Sequence, residues 1–342
     1  MKILFIKKGN PNLGANRLAI DNFSKLLTKK GIEIKISSNF IPGFDVYMLS
    51  KFIKKKEVEE IKKKTNALIG AIHPSDINVD LKHIIKLSDF LLVGSLCEKD
   101  YLLKYKKPVF VFPQLENITN DDISDKNIRN NNKILKIGYH GNLEHLHEFS
   151  DELKLALEKL SEEVNLELHV VYDKSLGKWK KPNIVVKEYD WTFENVLKYM
   201  SLVDIGVVPS LRKNNFFKKN SFLRNILLKL FTQTPSKINN DYLLQFKSTS
   251  NAGRAFIFHQ LKIPVISDFS PENFIINGDI RCGYLAHSYY GWYNALKELA
   301  FDIEKRERVA ENAFIRFNEI YNSEIYIIKF IEGLQSLKKS YL

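Results

Sequence analysis

The chain has 342 residues, 44% of them hydrophobic and 12% aromatic, a composition that excludes a disordered chain and suits two cores of roughly 120 to 190 residues. Lys plus Arg number 52 against 40 Asp plus Glu, a formal charge of +12 that suits polyanions, anionic membrane surfaces or phosphorylated ligands, and equally a solvated basic surface. No apolar run reaches the ~18 residues of a membrane span, the opening MKILFIKKGN breaks too early for a signal peptide, and two distant cysteines, Cys97 and Cys282, make neither a disulfide framework nor a zinc site. A metal-free cytoplasmic protein is expected.

The first third alternates strand and helix. KILFI, IEIKIS, FDVYML, ALIGAI, DFLLVGS and PVFVF read as strands, and ANRLAIDNFSKLLTKKG carries helical spacing to Gly31. That order implies a parallel sheet covered on both faces. Residues 116–133 are polar and Asn-rich without a period, which reads as a linker. The pattern then restarts: KILKIGY, the helix EFSDELKLALEKLSEEV, LELHVVY, NIVVKEY, the helix FENVLKYMSLV, DIGVVPS and PVISD. Residues 211–241 interrupt this second unit with a basic and aromatic insertion, and the closing stretch from Ala310 is helical with one apolar face. The cationic run from Lys51 to Lys64 reads as a solvated helix face or a peripheral contact with an anionic membrane.

Ligands of open parallel sheets sit beyond the carboxyl ends of the strands. After KILKI comes Gly138 to Asn142, where Gly141 and Asn142 would let backbone N–H groups approach an anion, although a plain tight turn has the same signature. After NIVVKEY, Tyr189 suits stacking on a flat nucleoside ring or an edge of the core, and Thr192 suits a helix N-cap. The stretch KSTSNAGRAFIFHQLKIPVISD places Lys247, Ser250, Asn251 and Arg254 at the start of an apolar helix. Two cations and a helix N-terminus there make a seat for phosphate.

With these segments quoted, residues 133–313 resemble the nucleotide-sugar half of group-1 glycosyltransferases of the GT-B type, those of family four and relatives. IGYHGN stands as first strand and loop, VDIGVVPS as the strand before the donor loop, and then come the helix and LKIPVIS, with Lys262 where that family has glycine. AIHPSD, DFLLVGSLCEKDYL and VFVFPQLEN extend the resemblance more loosely into the first half. It implies an α/β protein of two Rossmann-like doubly wound domains facing a cleft: residues 1–125 with a returning C-terminal helix 318–342 on the acceptor side, and 126–317 on the nucleotide-sugar side. The resemblance implies transfer of a sugar from a nucleotide diphosphate to a saccharide or lipid-linked acceptor, in polysaccharide or glycoconjugate synthesis. The nucleotide sugar is then a co-substrate, with no other cofactor, no metal and no nucleic-acid partner. An epimerase of the same fold and a silent nucleotide-sugar binder are the alternatives.

Carried over residue by residue, the resemblance assigns the donor diphosphate to Gly141, Asn142, Lys247, Ser250, Asn251 and Arg254, and the nucleoside to Tyr189. It sets His73 near the reacting sugar, with Asp76 close in sequence, although a histidine bonding backbone at a strand end fits the same place; Gly14 and Arg17, after the first strand, suit closing the cleft over the phosphates or the acceptor, and Arg17 equally suits a surface position on the first helix. Lys247, Arg254 and His73 are the catalytic candidates. The two glutamates that many retaining members carry eight positions apart fall here on Thr249 and Ile257, so the stereochemical outcome does not carry over.

Overall fold

The computed structural model describes residues 1–9, 14–74, 82–116, 118–119, 134–141, 143–146, 149–209, 212–213, 244–245 and 253–341. Most of the expected linker and of the 211–241 insertion lies outside them, as do Asp76, Asn142, Lys247, Ser250 and Asn251. By its contacts the chain divides into two compact units, Met1–Thr119 with Thr249–Ile257 and Phe317–Leu342, and Asn120–Ser248 with Phe258–Arg316.

The first unit holds a six-stranded sheet in the order β2-β1-β3-β4-β5-β6, with every pairing parallel. The strands are β1 (Lys2–Ile6), β2 (Glu33–Ser37), β3 (Val46–Ser50), β4 (Leu68–Ile72), β5 (Phe90–Val93) and β6 (Val109–Val111). Alternate residues of each strand point to opposite faces, and both faces are sealed. Ile3, Phe5, Met48, Phe90 and Leu92 pack with Phe23 and Leu27 of the helix Phe23–Lys29 and with Ile327, Phe330 and Leu334 of the helix Ser323–Tyr341. Leu4, Tyr47, Ile69, Leu91 and Val93 pack with Val58 and Ile61 of Lys55–Lys64, Ile84 and Ile85 of Lys82–Leu87, and Leu102 of Leu96–Leu102. This double burial explains the unbroken apolar strands of the sequence.

The second unit repeats the architecture with β7 (Leu135–His140), β8 (Leu166–Tyr172), β9 (Val185–Asp190), β10 (Ile205–Val208), β13 (Val265–Ser267) and β14 (Tyr284–Leu285), again all parallel, in the order β14-β13-β10-β7-β8-β9. One face buries Ile137, Tyr139, Leu168, Val170, Ile205 and Val207 against the helices Asp151–Ser161 and Tyr289–Phe301. The helix Asp151–Ser161 begins where Ser150 accepts the Leu153 N–H, and Phe193–Met200 begins at the expected cap, where Thr192 accepts the Asn195 N–H at 3.0 Å. Two short strands, β11 (Arg212–Lys213) and β12 (Leu244–Gln245), form an antiparallel pair at the ends of the insertion.

Three details escape the sequence. The helix after β1 passes from Gly14–Asn16 through a π-helical stretch, Arg17–Asn22, before becoming α-helical at Phe23. β14 is two residues long and leaves no period to read. The helical stretch from Ala310 is broken between Ile303–Ile320 and Ser323–Tyr341, the second of which corresponds to the helix expected over 318–342.

One buried group makes the fold sensitive to acid. His259, in the helix Gly253–Gln260, is fully buried, and burial pushes its imidazole down to about 3 from an ordinary 6.5. Below pH 6.5 the unfolded chain takes up a proton that the folded chain refuses. Stability from this residue is therefore complete above 6.5 and falls by ~1.4 kcal/mol per unit as the pH drops toward 3. The difference between His259→Leu and wild type in denaturant titrations at stepped pH is expected to have that slope over this window and to be flat above it.

Candidate functional site

In the first unit, parallel pairing brings the carboxyl ends of β4, β5 and β6 to one edge, and the residues that follow them are His73, Gly94 and the segment 112–116. His73 donates its backbone N–H to Leu92 O at 2.8 Å and turns sharply, with φ 44. This left-handed conformation costs a residue with a Cβ roughly 1–2 kcal/mol. Such strain persists where surrounding contacts over-determine it, and three do so here. The ring Nδ1 lies 3.2 Å from Glu98 Oε2, Nε2 lies 2.5 Å from Gln114 Nε2, and Cε1 passes over Gly94, where a Cβ would stand 2.6 Å away.

Glu98 is 5% exposed. Its Oε2 also accepts the Gly94 N–H at 2.8 Å, while its own N–H donates to Ser95 Oγ, the N-cap of Leu96–Leu102. Ser-x-x-Glu is the signature of a capping box, yet the carboxylate reaches past Ser95 to Gly94 and the imidazole. Next to this group Glu116 is buried and ion-paired with Arg17, and Asn22 Nδ2 donates to Leu115 O at 3.2 Å, so the π-helical stretch and the segment after β6 are tied together. Burial raises the Glu116 carboxyl above its ordinary range, and the Arg17 guanidinium pulls the other way.

Of the expected residues in this unit, His73 thus stands inside a polar cluster whose carboxylate is Glu98, and Asp76 lies outside the described residues. Arg17 is engaged with Glu116, and Gly14 opens the same helical stretch. Sequence reasoning passed over Glu98, Gln114 and Glu116. The available signals were the Ser95-to-Glu98 spacing and the polar PQLEN directly after a strand.

In the second unit the strand order reverses between β7 and β10, the place where doubly wound sheets take nucleotides. Gly141 follows β7 there. It has φ 155 and donates its N–H to Val171 O at 3.1 Å. His140 before it is buried, with its ring 5.2 Å from that of Phe258. The reversal is braced from the other end of the strands, where Asp204 accepts the Lys136 N–H at 2.8 Å and lies 3.6 Å from the buried Arg306.

Tyr189, near the end of β9, has one ring face stacked on Tyr199 at 3.5 Å and its hydroxyl 3.4 Å from His169 Nδ1. Burial raises its phenol above the ordinary value. Arg254 sits half-buried in the first turn of the helix Gly253–Gln260. Beyond β13 the chain buries Asp268, Glu272 and Asn273, with Asn273 Nδ2 donating to Asp268 O at 2.9 Å and Ser270 capping the helix Pro271–Asn277. The sequence reading took PVISD as a strand and did not single these residues out. Among the described residues no group of three or more His, Cys, Asp or Glu could hold a metal ion, and no helix is long and apolar enough to cross a membrane.

No family model matches the sequence, and no curated protein matches it. Solved structures do. HepE from Anabaena, solved in complex with UDP, is 13% identical with a TM-score of 0.61 over 98% of this chain and 100% of its own. Sucrose-phosphate synthase from Thermosynechococcus elongatus is 11% identical with a TM-score of 0.65 over 99% of each chain. TarM is 13% identical with a TM-score of 0.55 over 84% of this chain and 54% of its own. The fold is therefore GT-B, the two-domain Rossmann-like fold of these glycosyltransferases.

The clearance over Gly94 gives a direct check. Gly94→Ala places a methyl against the His73 ring at the 2.6 Å position, and overpacking of this kind costs ~1–3 kcal/mol. Chemical denaturation is expected to show that loss, and the His73 ring resonances are expected to move.

Proposed function

We propose that the protein is a glycosyltransferase that moves a sugar from a nucleoside-diphosphate donor to a saccharide or lipid-linked acceptor. The observation that carries this is the full-length correspondence of fold with HepE, a protein solved with UDP and with UDP-glucose. Gly141 at the strand-order reversal of the second sheet supports a nucleotide seat there. The donor diphosphate is assigned to Gly141 and Arg254, together with Asn142, Lys247, Ser250 and Asn251 on sequence pattern alone. Tyr189 presents the nucleoside with a ring already braced by Tyr199.

In the proposed reaction the acceptor oxygen bonds to the anomeric carbon as the bond from that carbon to the phosphate oxygen breaks. The electron pair leaves with the nucleoside diphosphate. Lys247, Arg254 and the helix N-terminus meet the growing charge in place of a metal. The acceptor proton passes to the imidazole of His73.

A thermal-shift panel of nucleotides and nucleotide sugars tests the assignment. A cognate ligand at 100 times its Kd stabilises the chain by ~2.7 kcal/mol, and a panel in which no nucleotide raises the melting temperature would refute the proposal. Arg254→Ala is expected to lower turnover by about 10²–10³ while leaving the melting temperature of the free protein within a few degrees; retention of a third of the wild-type rate removes Arg254 from the mechanism. EDTA is expected to leave the rate unchanged, and loss of activity restored by a divalent cation would show that metal-free transfer is wrong.

A further inference from the structure

We infer that Glu98 is a positioning residue that fixes the tautomer of His73, so that Nε2 is the atom that takes the acceptor proton, and that the Gln114 amide stands in for the acceptor hydroxyl until substrate displaces it. This rests on the glycosyltransferase reading above.

An ionised carboxylate only accepts hydrogen bonds. Glu98 Oε2 accepts the Gly94 N–H at 2.8 Å and faces His73 Nδ1 at 3.2 Å. A bare Nδ1 lone pair there would oppose a negative oxygen, so Nδ1 carries the proton and donates it. The neutral ring then has its lone pair on Nε2, where the Gln114 Nε2 amide lies at 2.5 Å as a donor. An O–H donor can replace that N–H donor without any change to the ring. When the hydroxyl gives up its proton to Nε2, the imidazolium that forms has its new charge balanced across Nδ1–H by Glu98.

The surroundings hold the ring in this pose. The left-handed turn at His73 sets the direction of the side chain, and the missing Cβ of Gly94 leaves room for it. Glu98 is held by its place in the first turn of a helix capped by Ser95. Gln114, in contrast, follows β6 in an irregular segment and is only partly buried. Neither Glu98 nor Gln114 belongs to a pattern that sequence alone marks as catalytic.

The tautomer is measurable in the free, full-length protein. Two-bond ¹H–¹⁵N correlation spectra of labelled chain, with the His73 signals assigned by their loss in His73→Gln, are expected to show the Nδ1–H form in wild type and in Gln114→Ala. Glu98→Leu combined with Gln114→Ala, which removes both partners of the ring, is expected to shift it toward Nε2–H. An Nε2–H ring in wild type overturns the inference, and so does an Nδ1–H ring that persists in the folded double variant.

Kinetics supply a second measurement, with UDP-glucose as donor and UDP release as readout. Glu98→Gln keeps an acceptor oxygen but loses the charge, and kcat is expected to fall at least tenfold with KM for UDP-glucose within twofold. A rise in KM at unchanged kcat overturns the assignment of Glu98 to the proton acceptor. Because the tautomer is read without substrate, a thermal-shift panel with no response defeats the glycosyltransferase reading alone, and an Nε2–H ring defeats the role of Glu98 alone.

Discussion

A parallel sheet sealed on both faces leaves only its edges for chemistry, and this constraint organises both units. The central strands spend their side chains on two cores, as Ile3 and Phe5 face one helical layer while Leu4 and Ile6 face the other. Polar groups that must meet a ligand are thereby displaced to the residues just beyond the strands. His73, Gly94 and Gln114 in the first unit and Gly141 in the second all occupy such positions. The geometry at these ends is expensive, with His73 in a left-handed turn and a carboxylate kept from water, and it is sustained by rigid elements on either side.

The large pattern was legible in the sequence because double burial writes itself as continuous apolar runs punctuated by turns. KILFI, ALIGAI and LELHVVY appear as strands almost residue for residue, and Thr192 caps the helix Phe193–Met200. The site was less legible. Glu98 drew no attention in the sequence, and its engagement with an imidazole 25 positions away depends on strand order, which no local pattern records. Asp76, close to His73 along the chain, lies outside the described residues, and the carboxylate in contact with the ring is Glu98, from the first turn of the helix Leu96–Leu102. Tyr189 was read as a nucleoside-stacking ring or an edge of the core, and the ring it stacks on, Tyr199, comes from the helix after its own strand.

Lys262 shows how a departure from a family pattern is accommodated. Glycine is usual at this place in the proteins the sequence resembles, and the backbone explains the preference: Lys262 has φ 54, which glycine adopts without steric cost. The lysine offsets that cost through its side chain. Nζ lies 3.0 Å from both carboxylate oxygens of Glu311 and 4.4 Å from the centre of the Phe314 ring, so the turn before β13 is anchored to the helix Ile303–Ile320.

The packing of the helix Ser323–Tyr341 bears on how the chain acquires its structure during synthesis. Ile327, Phe330 and Leu334 complete the core that Phe5, Phe23 and Phe90 begin, yet they are translated only after the whole of the second unit. A nascent chain must therefore carry an open apolar face on its first sheet while the ribosome makes the intervening residues, an interval of exposure that invites chaperone capture or misassembly. Completion of the opening unit thus waits on synthesis of the second, and termination before residue 323 would release a chain with its first-formed sheet still uncovered.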